Sequence, residues 1–126
     1  MLGDSPVHPV LLSMDLAQTR EFHHDKLGLE ILSDTPEAIE FRCGGQTKLV
    51  VTKSTTGTAD SQTQIGWDVG NLQAELDLLR ARGVTIEDYD LPGLKTENGV
   101  ADMGFALIAW IVDPGKNALG IIQRKI

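Results

Sequence analysis

The chain has 126 residues, of which 41% are hydrophobic and 23% are charged, and it contains one cysteine. This length suits one domain with its own apolar core, and a single cysteine excludes an internal disulfide and a cysteine-rich zinc site. Eighteen acidic against eleven basic residues give a formal net charge of −7. That charge argues against nucleic acid or an anionic membrane as a partner, because phosphates are repelled.

Targeting signals are not evident in the sequence. The longest apolar run, residues 105–112, is much shorter than the ~20 residues of a membrane-spanning helix. The first six residues have neither the basic nor the apolar stretch of a secretory signal. Together with the unpaired cysteine, this predicts a cytoplasmic protein with one domain over residues 1–126.

The first half predicts a strand, a helix and three further strands. The apolar run at residues 10–14 meets Asp15, a good helix N-cap, and apolar residues at helical spacing continue to Gly28, which ends the helix. Strand patterns follow over residues 29–33, 38–42 and 48–53, and a glycine-rich turn containing Cys43 joins the last two. Residues 54–62 hold no large apolar side chain, which is typical of a surface linker.

The second half repeats this order. A strand over residues 64–69 precedes Asn71 as N-cap, and leucines 72, 76 and 79 form the apolar stripe of a helix that Gly83 ends. Strands are predicted over residues 84–90, 104–112 and 118–123, with a turn beginning at Asp113 before the last. The remaining segment, residues 91–102, is predicted as a non-periodic loop that covers a pocket.

The two halves correspond in order, since Leu16 and Gly28 of the first match Leu72 and Gly83 of the second. Internal duplication is a strong organisational signal. It predicts an α+β fold of two tandem βαβββ modules, residues 7–53 and 63–124, joined by the linker 54–62. We expect them to form a curved mixed sheet around a cavity, with the helices outside.

Two segments resemble a known family. Residues 8–16 (HPVLLSMDL), followed by Phe22 and the Leu-Gly-Leu at residues 27–29, resemble the opening of the vicinal oxygen chelate superfamily. Residues 109–122 (AWIVDPGKNALGII) resemble its closing strand–turn–strand. The superfamily includes glyoxalase I, bleomycin-resistance proteins and extradiol dioxygenases. The resemblance implies the fold over essentially the whole chain, whereas this fold hosts many activities.

The resemblance also implies where a catalytic metal would be bound. The four ligand positions of the family fall on His8, Val50, Gln64 and Gly120. A divalent ion needs three or four nitrogen or oxygen donors, and Val50 and Gly120 have no donor side chain. We therefore expect no metal and no other cofactor, and we expect these four positions to line a ligand pocket instead.

Two further residues are candidates for the same pocket. Asp68 shares strand parity with Gln64, so it would face the cavity and could act as a general base, or it could simply be solvated at the strand end. Trp110 lies in an all-apolar strand and could be core or a wall for a flat ligand. His8 has the same two interpretations, a solvated histidine or a polar ligand contact with acid–base capacity.

Two functions remain open from the sequence. The first is a glyoxalase- or bleomycin-resistance-like protein that binds a small organic molecule in an apolar cavity without a metal. The alternative is a lyase, isomerase or dioxygenase-type enzyme that uses His8 or Asp68 in acid–base work or holds a metal through relocated ligands. In either case the resemblance implies a homodimer.

Overall fold

The computed structural model describes residues 1–59 and 61–125. The first half of the chain has four strands, one helix that continues as a π-helical turn, and two short 3-10 turns. These elements are the 3-10 turn Leu2–Asp4, β1 (Val10–Ser13), α1 (Leu16–Arg20), the π-helical turn Glu21–Lys26, β2 (Glu30–Asp34), β3 (Ala38–Arg42), the 3-10 turn Gly44–Gln46 and β4 (Lys48–Lys53).

The second module follows with the same order and adds a small hairpin. Its elements are β5 (Thr63–Asp68), α2 (Leu72–Ala81), β6 (Asp90–Leu91), β7 (Leu94–Lys95), β8 (Ala101–Asp102), β9 (Ala106–Val112) and β10 (Ala118–Arg124). The strands β6 and β7 pair only with each other.

Each module forms its own four-stranded mixed sheet. The strand orders are β1-β4-β3-β2 and β5-β10-β9-β8. The parallel pairs are β1 with β4 and β5 with β10, which join the first and last strands of each module in chain order. The other pairings are antiparallel. The identical order in both sheets confirms the α+β fold of two βαβββ modules.

The predicted caps set the start of both helices. The Asp15 side chain accepts a hydrogen bond from the Gln18 backbone N–H, and the Asn71 side chain accepts one from that of Ala74, each at 3.1 Å. After the helices, Gly28 and Gly83 adopt φ of 79° and 81°. Glycine takes this left-handed conformation without the steric penalty that a Cβ atom brings.

The strand predicted over residues 84–90 is wrong except at its last residue. Val84 and Ile86 are buried, so hydrophobicity alternates as in a strand. The segment lacks a ladder, however, and the hydrogen bond that ties it to β9 runs from the Glu87 N–H to the Trp110 carbonyl at 2.9 Å. The outer strand of the second sheet is the two-residue β8 instead.

The segment predicted as a loop at residues 91–102 contains regular structure. It holds part of the β6–β7 hairpin and all of β8, and the Arg80 side chain donates to the Asn98 carbonyl. Thr96 is buried, and its backbone and hydroxyl both bond to Tyr89. Strands of two residues are too short to show a hydrophobic periodicity, so the sequence pattern could not predict them. This segment is a hydrogen-bonded part of the fold.

The two modules share one apolar core. The helix α1 packs on β3 and β4, and α2 packs on β9 and β10. The sheet faces on that side contribute alternate residues to a single cluster, which includes Ile39, Phe41, Leu49, Val51, Leu72, Leu76, Ile111 and Leu119. Because side chains alternate along a strand, the strand residues between these core residues point to the other side of each sheet, away from the core. We call these two surfaces the open faces. None of the described helices is long and apolar enough to cross a membrane.

Candidate functional site

The open face of the second sheet carries a tryptophan beside two glycines. Trp110 on β9 pairs with Gly120 on the middle strand β10, and Gly120 pairs with Gly66 on β5. The two glycines add no side chain to this row. A side chain there would have little room, because a Cβ atom at Gly66 would lie 2.8 Å from the Ile122 side chain and one at Gly120 would lie 3.3 Å from the Thr63 methyl group. We call this surface, formed by Thr63, Gly66, Trp110, Gly120 and Ile122, the Trp110 shelf.

The Trp110 side chain has a fixed orientation on this shelf. Its indole N–H donates to the Thr63 hydroxyl at 2.9 Å, two strands away. Two strand spacings are about 10 Å, so the side chain must extend across the middle strand. Tyr89 packs edge-to-face against the indole, with ring centroids 5.6 Å apart. Burial raises the pKa of the Tyr89 phenol, and the Glu87 carboxylate adds to that rise.

The open face of the first sheet mixes apolar and charged side chains. Val10, Val50 and Glu40 form one row across β1, β4 and β3. The Lys48 ammonium donates to the Glu40 carboxylate at 2.8 Å and lowers its pKa, and the charge of His8 contributes a smaller lowering. His8 itself is exposed and precedes β1.

The structure distributes the predicted site residues over both sheets. Val50 belongs to the first sheet and His8 lies just before its strand β1, whereas Gln64, Trp110 and Gly120 belong to the second sheet. Within the second sheet, Trp110 and Gly120 are direct neighbours. The amide of Gln64 donates to the Gln62 carbonyl at 2.8 Å.

Asp68 lies at the end of β5, where its side chain is 71% exposed and 3.4 Å from the Arg124 guanidinium. It is not the enclosed carboxylate that the acid–base hypothesis requires. Trp67, the neighbour of opposite parity, packs against the core.

The donor set does not fit the metal that the family resemblance implies. Among the four aligned positions, only His8 offers a strong donor, and Val50 and Gly120 offer none. Within residues 1–59 and 61–125, no three His, Cys, Asp or Glu side chains are grouped closely enough to hold an ion. The four aligned side chains therefore do not make up the metal site of the family.

The single cysteine lies away from the Trp110 shelf. Cys43 packs against the core, and burial raises the pKa of its thiol above the usual value. The neighbouring Trp67 side chain lowers this pKa and offsets part of that rise. A thiol held protonated is a poor nucleophile, as expected of a structural residue.

The sequence missed Thr63 and Tyr89, which orient Trp110, and Lys48, which pairs with Glu40. Thr63 begins a strand and Tyr89 lies in the irregular segment before the hairpin, so no local pattern marked either one. Their roles follow from cross-strand contacts, and these become visible only once the strand register is known.

Comparison with known proteins agrees with this geometry. Residues 5–119 match the family described as the Glyoxalase/Bleomycin resistance protein/Dioxygenase superfamily. The chain belongs to this superfamily. No curated protein matches the sequence significantly.

Solved structures of the superfamily share the fold at low sequence identity. The bleomycin-binding protein from Streptomyces verticillus, complexed with copper(II)-bleomycin, is 21% identical with a TM-score of 0.76, over 99% of this chain and 100% of the other. An antibiotic-binding protein from a Streptomyces species is 20% identical with a TM-score of 0.75 over the same shares. A superfamily member from Alicyclobacillus acidocaldarius is 17% identical with a TM-score of 0.76, over 98% of this chain and 93% of the other.

Proposed function

We propose that this superfamily member binds a flat organic molecule on the Trp110 shelf without the help of a metal. The observation that carries the proposal is the shelf itself, a half-buried indole held in place by Thr63 and Tyr89 beside a row of glycines. A pre-oriented aromatic side chain loses little conformational freedom when a ligand stacks on it, and such stacking contributes about 0.5–1.5 kcal/mol beyond area burial.

Charge narrows the ligand class. The chain has a net charge of −7, and the open face of the first sheet carries the carboxylate of Glu40. An anionic ligand would be repelled by this field, so neutral or cationic aromatic molecules are favoured. Two of the structurally similar proteins are described as binding bleomycin or another antibiotic, which supports the same class of function.

A second copy of the chain would complete the site. Val10 and Leu12 on the open face of the first sheet are 53% and 38% exposed, and Leu32 on β2 is 41% exposed. Exposed apolar side chains on a sheet face favour association, because pairing removes them from water. The proposed assembly is a homodimer in which open faces meet and enclose the ligand. Its proposed location is the cytoplasm, where an unpaired cysteine such as Cys43 stays reduced.

Calorimetric titration with metal-free bleomycin and with 9-aminoacridine tests the proposal. We expect saturable binding of at least one probe, with a negative heat-capacity change from apolar burial. Trp110→Ala should weaken it at least tenfold. Leu78→Ala is the control, since Leu78 is exposed on α2 and belongs neither to the shelf nor to the core. Equal affinity in the Trp110→Ala variant would reject the shelf as the site.

The enzyme alternative gains no comparable support. Acid–base catalysis needs a titratable group enclosed next to the substrate, whereas His8 is exposed and the Asp68 side chain is paired with Arg124 at the surface.

A further inference from the structure

The second sheet has a pocket on the side opposite to the Trp110 shelf. It has a volume of about 190 Å³ and opens beside α2 at the end of the edge strand β5. Its walls include Leu27 and Leu29 of the first module and Trp67 and Leu79 of the second. The core residues Ile111 and Ile121 form its floor. We call this the Trp67 pocket.

The size of the Trp67 pocket suits one small ring. An apolar cavity of about 150 Å³ accommodates benzene, so about 190 Å³ leaves room for a six-membered ring with a short arm. The indole of Trp67 is partly buried and packs against the apolar core. It therefore offers a fixed aromatic wall.

The charged residues lining the Trp67 pocket are carboxylates. Asp68 and Glu75 line it together with the apolar walls. Two guanidinium groups lie nearby, Arg124 against Asp68 and Arg82 beside Gly28, but neither lines the pocket. Glu75 is exposed on α2 and has no ion pair within residues 1–59 and 61–125. Its charge is available to a cationic ligand.

We propose that the Trp67 pocket binds an aryl-alkyl ammonium ion, with the ring against Trp67 and the leucines and the ammonium group toward Glu75 and Asp68. An apolar pocket with carboxylates at its mouth complements a molecule that is apolar at one end and cationic at the other. The neighbouring indole also favours a cation near its face. This site is independent of the shelf, because Trp67 and Trp110 belong to opposite faces of the sheet.

A titration with 2-phenylethylammonium at pH 7, followed by the ¹⁵N–¹H NMR spectrum, tests the proposal. The two indole N–H signals report the two sites separately, and Trp110→Phe assigns them. We expect saturable shifts at the Trp67 indole and around residues 27–29 and 75–79, with a dissociation constant of roughly a millimolar, as suits a ligand of nine heavy atoms.

Two comparisons isolate the role of charge. The isosteric alcohol 2-phenylethanol and the variant Glu75→Gln should each weaken binding about threefold, within the range of exposed charge interactions. Asp77→Asn is the matched control, since Asp77 lies two residues further along α2 and does not line the pocket. It should leave the affinity unchanged.

Three outcomes would overturn the proposal. Equal affinity for the alcohol and the ammonium ion would remove the cation selectivity. Shifts centred on Trp110 instead of Trp67 would place the probe on the shelf. No saturable shift up to about 20 mM would show that the Trp67 pocket does not bind this class, while leaving the bleomycin and 9-aminoacridine result for the shelf unaffected.

Discussion

His23 and Asp113 join the two modules through a fully buried contact. The Nε2 atom of His23, in the π-helical turn, lies 3.0 Å from Oδ2 of Asp113 in the β9–β10 turn, and both side chains are 0% exposed. Asp113 also accepts from the backbone and side-chain nitrogens of Asn117. The Asn117 amide in turn donates to the Leu12 carbonyl at 2.9 Å. The turn of one module is thereby fixed to the first strand of the other.

Replacing Asp113 should destabilise the fold strongly. Asp113→Ala removes the acceptor of His23 and Asn117, which leaves buried donors unpaired, and breaking such a buried pair costs about 3–5 kcal/mol. Urea unfolding measures the change. Asp34→Ala, which breaks the exposed pair with Arg20, is the control and should cost much less. A loss below about 1 kcal/mol for Asp113→Ala would show that the pair does not hold the modules together.

The irregular segment before β8 depends on Asp88. Its carboxylate accepts from the Thr96 hydroxyl at 2.9 Å and from the Gly99 N–H at 2.8 Å. Asp88→Ala should lower the local opening free energy by about 1–2 kcal/mol, seen as roughly tenfold faster amide hydrogen exchange at Gly99. Asp90→Ala, at a nearby exposed carboxylate, should leave that rate unchanged. An unaltered Gly99 rate in Asp88→Ala would count against this role.

Local signals predicted much of this fold. Asp15 and Asn71 cap their helices and Gly28 follows the first with positive φ, because each feature depends on only a few neighbouring residues. The strand predicted over residues 84–90 was wrong because the buried residues Val84 and Ile86 alternate with exposed ones as in a strand. A strand also requires a hydrogen-bonded partner strand, which the sequence pattern does not show.

The site was less predictable than the fold. Strand parity predicted that Asp68 and Gln64 share one face, but nothing local could show that the Trp110 indole reaches Thr63. The buried contact of His23 with Asp113 joins residues far apart in the sequence. From the sequence, the adjacent residues His23 and His24 in a helical segment predict only that their side chains point in different directions.

The pair between Arg20 and Asp34 should make stability depend on pH. Two hydrogen bonds from the Arg20 guanidinium, at 2.7 and 2.9 Å, lower the pKa of the Asp34 carboxyl. A carboxyl with a lowered pKa stabilises the fold above its usual pKa, here 3.8, and loses that contribution as the pH falls through the folded value.

Arg20→Gln should therefore reduce the unfolding free energy at pH 7 and have little effect at pH 2. Urea denaturation at both values measures the difference. Asp34→Asn should give a similar loss at pH 7, and the double variant should add little to either. An equal loss from Arg20→Gln at both pH values would mean that Arg20 acts through packing instead.

Dimerisation through the open faces is the next expectation. Light scattering at about 50 µM should give about twice the chain mass of 13.7 kDa. Val10→Asp places a charge on the open face of β1 and should shift the protein toward monomer. Leu78→Asp is the control, because Leu78 is similarly exposed at 58% but lies on α2. A monomeric wild-type protein would exclude the homodimer at this concentration.

Metal content gives the final prediction. Elemental analysis of protein purified without chelator should find well under one equivalent of Zn, Ni, Mn or Fe, since Val50 and Gly120 cannot donate. The variant Val50→Glu, Gln64→His and Gly120→Glu restores four donors together with His8 and should gain stoichiometric zinc affinity. Both buried positions must accept a larger side chain. At Gly120 the new Cβ would lie 3.3 Å from the Thr63 methyl group, which requires a shift of a few tenths of an ångström.

The same triple variant also tests how the two sheets meet. Val50 lies in the first sheet and His8 just before it, whereas Gln64 and Gly120 lie in the second, so the four donors converge only where the two open faces approach each other. If that approach occurs across a homodimer, adding Val10→Asp to the triple variant should abolish the new zinc affinity while the fold is retained. Zinc binding that persists in a monomeric quadruple variant would place the four positions together within one chain. A folded, dimeric triple variant without zinc affinity, measured by calorimetry, would show that the aligned positions do not converge.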